Sequence, residues 1–183
     1  MKKLVAFVLS IMTFTGFIFP SPVFAATDHD HIIENHYHIR NYVFRNLSIE
    51  ATGRGWASGY DTYMQENTNS WYQTIWLDYI PGMDVYSIRT SVTNKRYVLT
   101  LFASNDHLMY IDNENPYTEE ALWKIVSYGN GRYVIRNLYQ PDKILRTPTP
   151  DDIKAGDQLI CQKPMSGDAG TYSATEMWSF VGA

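Results

Sequence analysis

Beyond residue 40 the chain alternates short apolar runs with turn-forming residues, and no window keeps a helical period. One pattern recurs. Tyr42-Val43-Phe44-Arg45-Asn46-Leu47 returns as Tyr86-Ser87-Ile88-Arg89-Thr90, and again as Tyr133-Val134-Ile135-Arg136-Asn137-Leu138. Each copy is followed by a tryptophan in a strand-like run: Ile75-Trp76-Leu77, Leu122-Trp123-Lys124 and Met177-Trp178-Ser179. Between these landmarks the alternation leaves room for two more strands per copy, at 55–60 and 62–65, 97–102 and 108–111, and 144–147 and 158–162. Turn residues fall where the scheme needs them, as Pro81-Gly82-Met83-Asp84 and Gly129-Asn130-Gly131.

No such unit can bury its apolar face alone, and closing three around a pseudo-threefold axis removes exposed sheet edges. The pattern therefore predicts an all-β chain, a β-trefoil of three internal repeats and about twelve short strands, with repeats at 41–85, 86–132 and 133–183. The three tryptophans are expected at equivalent core positions.

The N-terminus has a different character. Met1-Lys2-Lys3 precedes an apolar run from Leu4 to Phe19, then Pro20-Ser21-Pro22 and Val23-Phe24-Ala25. A basic start, a short apolar core and small residues before a cut predict a secretory signal peptide over 1–25, cleaved after Ala25, and a secreted, extracellular domain. Residues 26–40 read as a polar, His-rich lead-in holding His29, His31, His36 and His38. Two His-x-His pairs could offer imidazoles to zinc, nickel or copper, but cleavage after Ala25 puts histidine fourth in the mature chain, and the terminal chelate is lost. The expectation is a lead-in without a metal site or cofactor.

Composition narrows the partners. The whole chain has 15 Lys and Arg against 19 Asp and Glu, and Lys2 and Lys3 leave with the leader. An acidic mature domain argues against nucleic acid or membrane insertion. Cys161 stands alone, so no disulfide can form within the chain. All 14 tyrosines and 5 tryptophans lie beyond the leader, and such residues supply both core and recognition surface.

Units that open Tyr-x-Ile-Arg-Asn and close on tryptophan resemble the ricin-type β-trefoil lectins, a family that includes cell-binding subunits of bacterial toxins. The resemblance covers residues 40–182. It implies a carbohydrate-binding or glycoconjugate-binding module. The family's closing Gln-x-Trp has Thr74, Ala121 and Glu176 in the place of its glutamine, and its sugar-binding Asp corresponds to Ser58, Thr100 and Arg146. A sugar site needs hydrogen-bonding groups beside an aromatic face. The second unit has the densest set, Asp106, His107, Tyr110, Asp112 and Asn113, with Tyr117 nearby. The first offers Asp61, Tyr63, Gln65, Asn67 and Trp71; the third offers Asp157 and Gln162.

No nucleophile elbow, zinc-protease helix or phosphate-binding loop occurs, and Cys161 lies in an apolar run, so no enzyme is expected. The expected partners are cell-surface or matrix glycans. The alternative is a protein-binding module, either a toxin subunit docked to a partner chain or an inhibitor of a secreted enzyme.

Overall fold

The computed structural model describes residues 32–183 except 34, 56–58, 91, 93–96, 103, 113–116 and 168–169, so the leader, His29 and His31 lie outside it. Twelve strands follow in chain order: β1 (His36–Asn41), β2 (Leu47–Gly55), β3 (Gly59–Glu66), β4 (Ile75–Ile80), β5 (Val85–Thr90), β6 (Tyr97–Phe102), β7 (His107–Asp112), β8 (Leu122–Ser127), β9 (Tyr133–Asn137), β10 (Ile144–Arg146), β11 (Ile160–Gln162) and β12 (Trp178–Gly182). Short 3-10 turns at Trp71–Gln73, Glu119–Ala121 and Ala174–Glu176 lead into β4, β8 and β12.

The expected β-trefoil is corrected here. The three units are not separate sheets, because all twelve strands are hydrogen-bonded into one sheet that closes into a β-barrel. Each unit lends its outer strands to its neighbours: β4 pairs β5, β8 pairs β9, and β12 pairs β1. The pairings of β1 with β4, β5 with β8 and β9 with β12 complete a ring of six. An unpaired edge would leave a row of backbone donors and acceptors unsatisfied, and closure removes it. The remaining strands form the hairpins β2–β3, β6–β7 and β10–β11, which meet where β3 and β11 both pair β7.

The ladder fixes the repeat. Arg40 lies opposite Ser48, Arg89 opposite Val98, and Arg136 opposite Ile144. The first copy is therefore Tyr37-His38-Ile39-Arg40-Asn41, in what the sequence presents as a lead-in, and not Tyr42–Leu47. Tyr42 to Asn46 form the following turn. Asn41 holds that turn by accepting the Val43 and Phe44 N–H groups, each at 3.0 Å. Asn137 does the same for Tyr139 and Gln140.

The core runs through the ring and hairpins, with Ile39, Ile49, Leu77, Ile88, Leu99, Ile135, Leu145 and Cys161 all buried. Trp123 and Trp178 are buried and donate from Nε1 to the Leu99 and Leu145 carbonyls at 2.9 and 3.0 Å. Trp76 departs from expectation. It is only half-buried and meets His36 edge-on, with ring centroids 4.7 Å apart. Trp123 faces Asn137 and Trp178 faces Asn41, whereas the residue facing Thr90 is Ile75. Ile75 therefore takes the core place in the first unit, one residue ahead of Trp76.

Candidate functional site

That shift re-registers the closing motif. With Ile75 in the tryptophan's place, Gln73 stands where the family's glutamine stands, and Glu176 holds that place in the third unit. Both are fully buried and both fasten the loop before them. Gln73 accepts the Thr68 N–H at 2.9 Å and donates to the Glu66 carbonyl at 2.7 Å and the Glu50 carboxylate at 2.9 Å. Glu176 accepts the Met165 and Ser173 N–H groups. Ala121 can do neither.

The second-unit candidates do not gather into one pocket. Tyr110 has no exposed surface and belongs to the core, and its burial pushes the phenol pKa upward. It cannot stack on a ligand. Asp106 occupies a turn with φ of 58°, and its carboxylate is paired with Lys143. His107 Nε2 lies 3.6 Å from Asp61 Oδ1 and also meets the Gln158 amide, so it joins the first unit's set where the hairpins converge. Asp112 closes β7 opposite Tyr97, while Asn113 lies outside the described residues.

In the first unit, Asp61, Tyr63 and Gln65 alternate along β3 and are half-buried, with buried Thr62 and Met64 between them. Asn67 continues beyond the strand and accepts from the Ser48 hydroxyl at 3.4 Å. In the third unit, Asp157 caps a turn at Lys154, and Gln162 accepts from Arg146 at 2.9 Å. Thr100 is buried with its hydroxyl on the Val98 carbonyl, and Ser58 is outside the described residues. Cys161 is also buried, and that pushes its thiol up to about 12, far from a reactive thiolate.

The structure instead shapes a cleft of about 640 Å³ lined by His36, His38, Arg40, Asn69, Trp71, Thr74, Gly182 and Ala183. The period-two alternation of β1 puts His36, His38 and Arg40 on one face. The loop fastened by Gln73 supplies Asn69, Trp71 and Thr74. Trp71 is 71% exposed, so most of its indole faces solvent at the rim of the cleft. His38 is 5% exposed, and its Nδ1 lies 3.2 Å from the Gln73 carbonyl, which fixes Nδ1–H as the donor and leaves Nε2 as an acceptor. Burial lowers the His38 pKa, and the nearby Arg40 charge adds to the effect.

Of these residues the sequence pointed to Trp71 as a sugar contact and to His36 and His38 only as possible metal ligands. The signal for β1 was the motif Tyr37-x-Ile39-Arg40-Asn41, which shares its tyrosine, isoleucine, arginine and asparagine with Tyr133-x-Ile135-Arg136-Asn137 and is hidden by the surrounding histidines. Among the described residues, no group of three His, Cys, Asp or Glu is placed to hold a metal ion.

With this geometry, known structures can be compared. The chain is similar to a mosquitocidal holotoxin, with a TM-score of 0.69 and 20% identity, covering 84% of this chain but only 18% of that one. It is similar to a lectin of Polyporus squamosus solved with a human-type influenza-binding epitope, at a TM-score of 0.61 and 13% identity over 80% of this chain and 48% of the lectin. It is also similar to a proteinase inhibitor from Coprinopsis cinerea, at 0.62 and 15% identity, covering 84% of this chain and all of the inhibitor. The likeness is one of fold. It supports the resemblance to ricin-type β-trefoil lectins at the level of fold, and what the structure adds is the closure of the strands into one barrel. No protein-family model matches the sequence. No curated protein matches it either.

Proposed function

We propose that the chain is a secreted lectin-like module that binds a glycan in the cleft between β1 and the Trp71 loop. The observation that carries this reading is the Trp71 indole, exposed on the rim of a cleft otherwise lined by hydrogen-bonding groups. An aromatic plane takes the apolar face of a sugar ring, while His38 Nε2, Asn69 and Thr74 offer partners for its hydroxyls. Binding would be non-covalent. The same module could serve as the cell-binding component of a larger toxin, in keeping with its similarity to one part of the holotoxin.

A glycan array probed with the mature chain tests the reading. Trp71→Ala should weaken the strongest glycan signal at least tenfold, about 1.4 kcal/mol, with an unchanged melting temperature. A variant that still binds fully moves the site away from this cleft.

One observation favours a protein partner instead. Trp71 and Tyr72 are both exposed, whereas the corresponding turns carry Glu119-Glu120 and Ala174-Thr175. A single lopsided aromatic pair suits a docking surface. On that reading, Tyr72→Ala should weaken partner capture as much as Trp71→Ala does, and the array should stay dark.

A further inference from the structure

The three arginines at the same place in the repeat have different partners. Arg89 Nη2 donates to Asp78 Oδ2 at 2.9 Å. Arg136 lies over the Tyr172 ring, 5.4 Å from its centroid, and donates to its hydroxyl. Among the described residues Arg40 has only the Asn69 amide oxygen, at 3.5 Å, the outer limit for a hydrogen bond, whereas a buried Nε without an acceptor is common to all three arginines. Among the described residues Arg40 has no carboxylate partner. It is also the one of the three that lines the cleft, where no Asp or Glu side chain joins it.

In a chain of formal charge −4, the cleft lining has no Asp or Glu side chain, although it includes the C-terminal residue Ala183, which carries a carboxylate, and Arg40 is its guanidinium. A guanidinium offers a planar fork of donors that matches a carboxylate or sulfate, and such bonds are about twice as strong as neutral ones. We infer that the cleft selects an anionic sugar, with Arg40 receiving its carboxylate or sulfate while Trp71 covers the ring. This rests on the reading that the cleft is the sugar site.

The test is an array of matched glycans with the mature chain: neutral, sialylated, uronic-acid-bearing and sulfated forms of the same backbones. The acidic members should bind at least about tenfold more tightly than their neutral counterparts, and added salt should erode that margin. Comparing the carboxylated and sulfated arms identifies the anion. Arg40→Gln should bring the ratio of acidic to neutral affinity close to one; Arg40→Lys should restore part of that ratio as a point charge. Should Arg40→Gln fail to fold, the matched pairs and their salt response on the unaltered chain still decide. Neutral glycans bound as tightly as acidic ones, with binding lost in Trp71→Ala, would overturn the anionic preference and leave the lectin reading standing. An array with no binding at all overturns both.

Discussion

The first unit and the other two solve the same packing problem differently. In β8 and β12 a buried tryptophan fills the ring interior and ties a hairpin strand to it through Nε1, as Trp123 to Leu99 and Trp178 to Leu145. In β4 the same place is filled by Ile75, which packs but offers no hydrogen bond. The first unit holds its hairpin and loop by a polar route, with Gln73 reaching Glu50, Glu66 and Thr68. That exchange leaves Trp71 free to face solvent and leaves a cleft beside β1. The third unit has both devices, Trp178 in the core and Glu176 fastening the loop before it, and its turn at Ala174–Glu176 carries no aromatic residue.

The largest effect should come from breaking the first unit's closure. Removing residues 26–38 takes away His36, Tyr37 and His38, which bridge β4 and β12. The product should fail to fold cooperatively in urea, whereas a deletion ending at His31 should retain a single sharp transition. Next come the tryptophans. Trp123→Ala or Trp178→Ala should cost about 3–5 kcal/mol in denaturant titrations, as for other buried aromatics. Trp76→Ala, at a half-buried position, should cost less, about 0.5–1.5 kcal/mol. Equal losses at all three sites would restore the symmetry that the ladder denies.

That prediction also marks what the sequence could and could not convey. Tyr86–Thr90 and Tyr133–Asn137 were legible because alternation imposes strand spacing and both are flanked by clear turns. The first copy was misplaced by five residues because Tyr42-Val43-Phe44-Arg45-Asn46 carries the same residue types as Tyr37-His38-Ile39-Arg40-Asn41. Only pairing distinguishes them, since Asn41 must reach the Thr175 carbonyl as Asn137 reaches that of Glu120. Trp76 misled for a related reason: a one-residue change in register sends every side chain of a strand to its opposite face. Tyr110 and the Asp106–Lys143 pair were unreadable as site or scaffold, because facing direction and long-range partners are set by tertiary packing.

A smaller effect separates the polar latch from its absence. Gln73→Ala removes the acceptor of the Thr68 N–H and the donor to the Glu66 carbonyl, and should cost about 0.5–1.5 kcal/mol for each bond lost. It should also loosen the loop that presents Trp71, lowering glycan affinity. Ala121→Gln in the second unit should bring no matching gain, because Ala121 is fully buried and a longer polar side chain would have to displace its neighbours.

The smallest effect is a response to acid. His38 stands where the other copies have Ser87 and Val134, neither of which titrates. Its pKa is lowered below 6.5 in the fold, by burial first and then by Arg40, with His36 on the same face and Gln73 opposite. The unfolded chain therefore takes up a proton before the folded one does. Stability should be full above about pH 6.5 and decline as the pH falls toward the folded-state value. Melting temperatures measured from neutral to mildly acidic pH should show that decline in the parent and a flatter profile in His38→Ser.

The pairing of β1 with β12 also constrains when the molecule can become itself. Tyr37 lies opposite Gly182 and Asn41 opposite Trp178, so the first of the twelve strands to leave a ribosome waits for the last. Contacts this distant in sequence carry a large loop-closure entropy and slow the search for the native state. Until β12 arrives, β1 and β9 each present an unsatisfied edge, the form most prone to pair with another chain. The barrel is thus a structure of completion. Its histidine-bearing first strand depends on residues made at the far end, and a chain cut short before Trp178 would be left with an adhesive edge instead of a binding site.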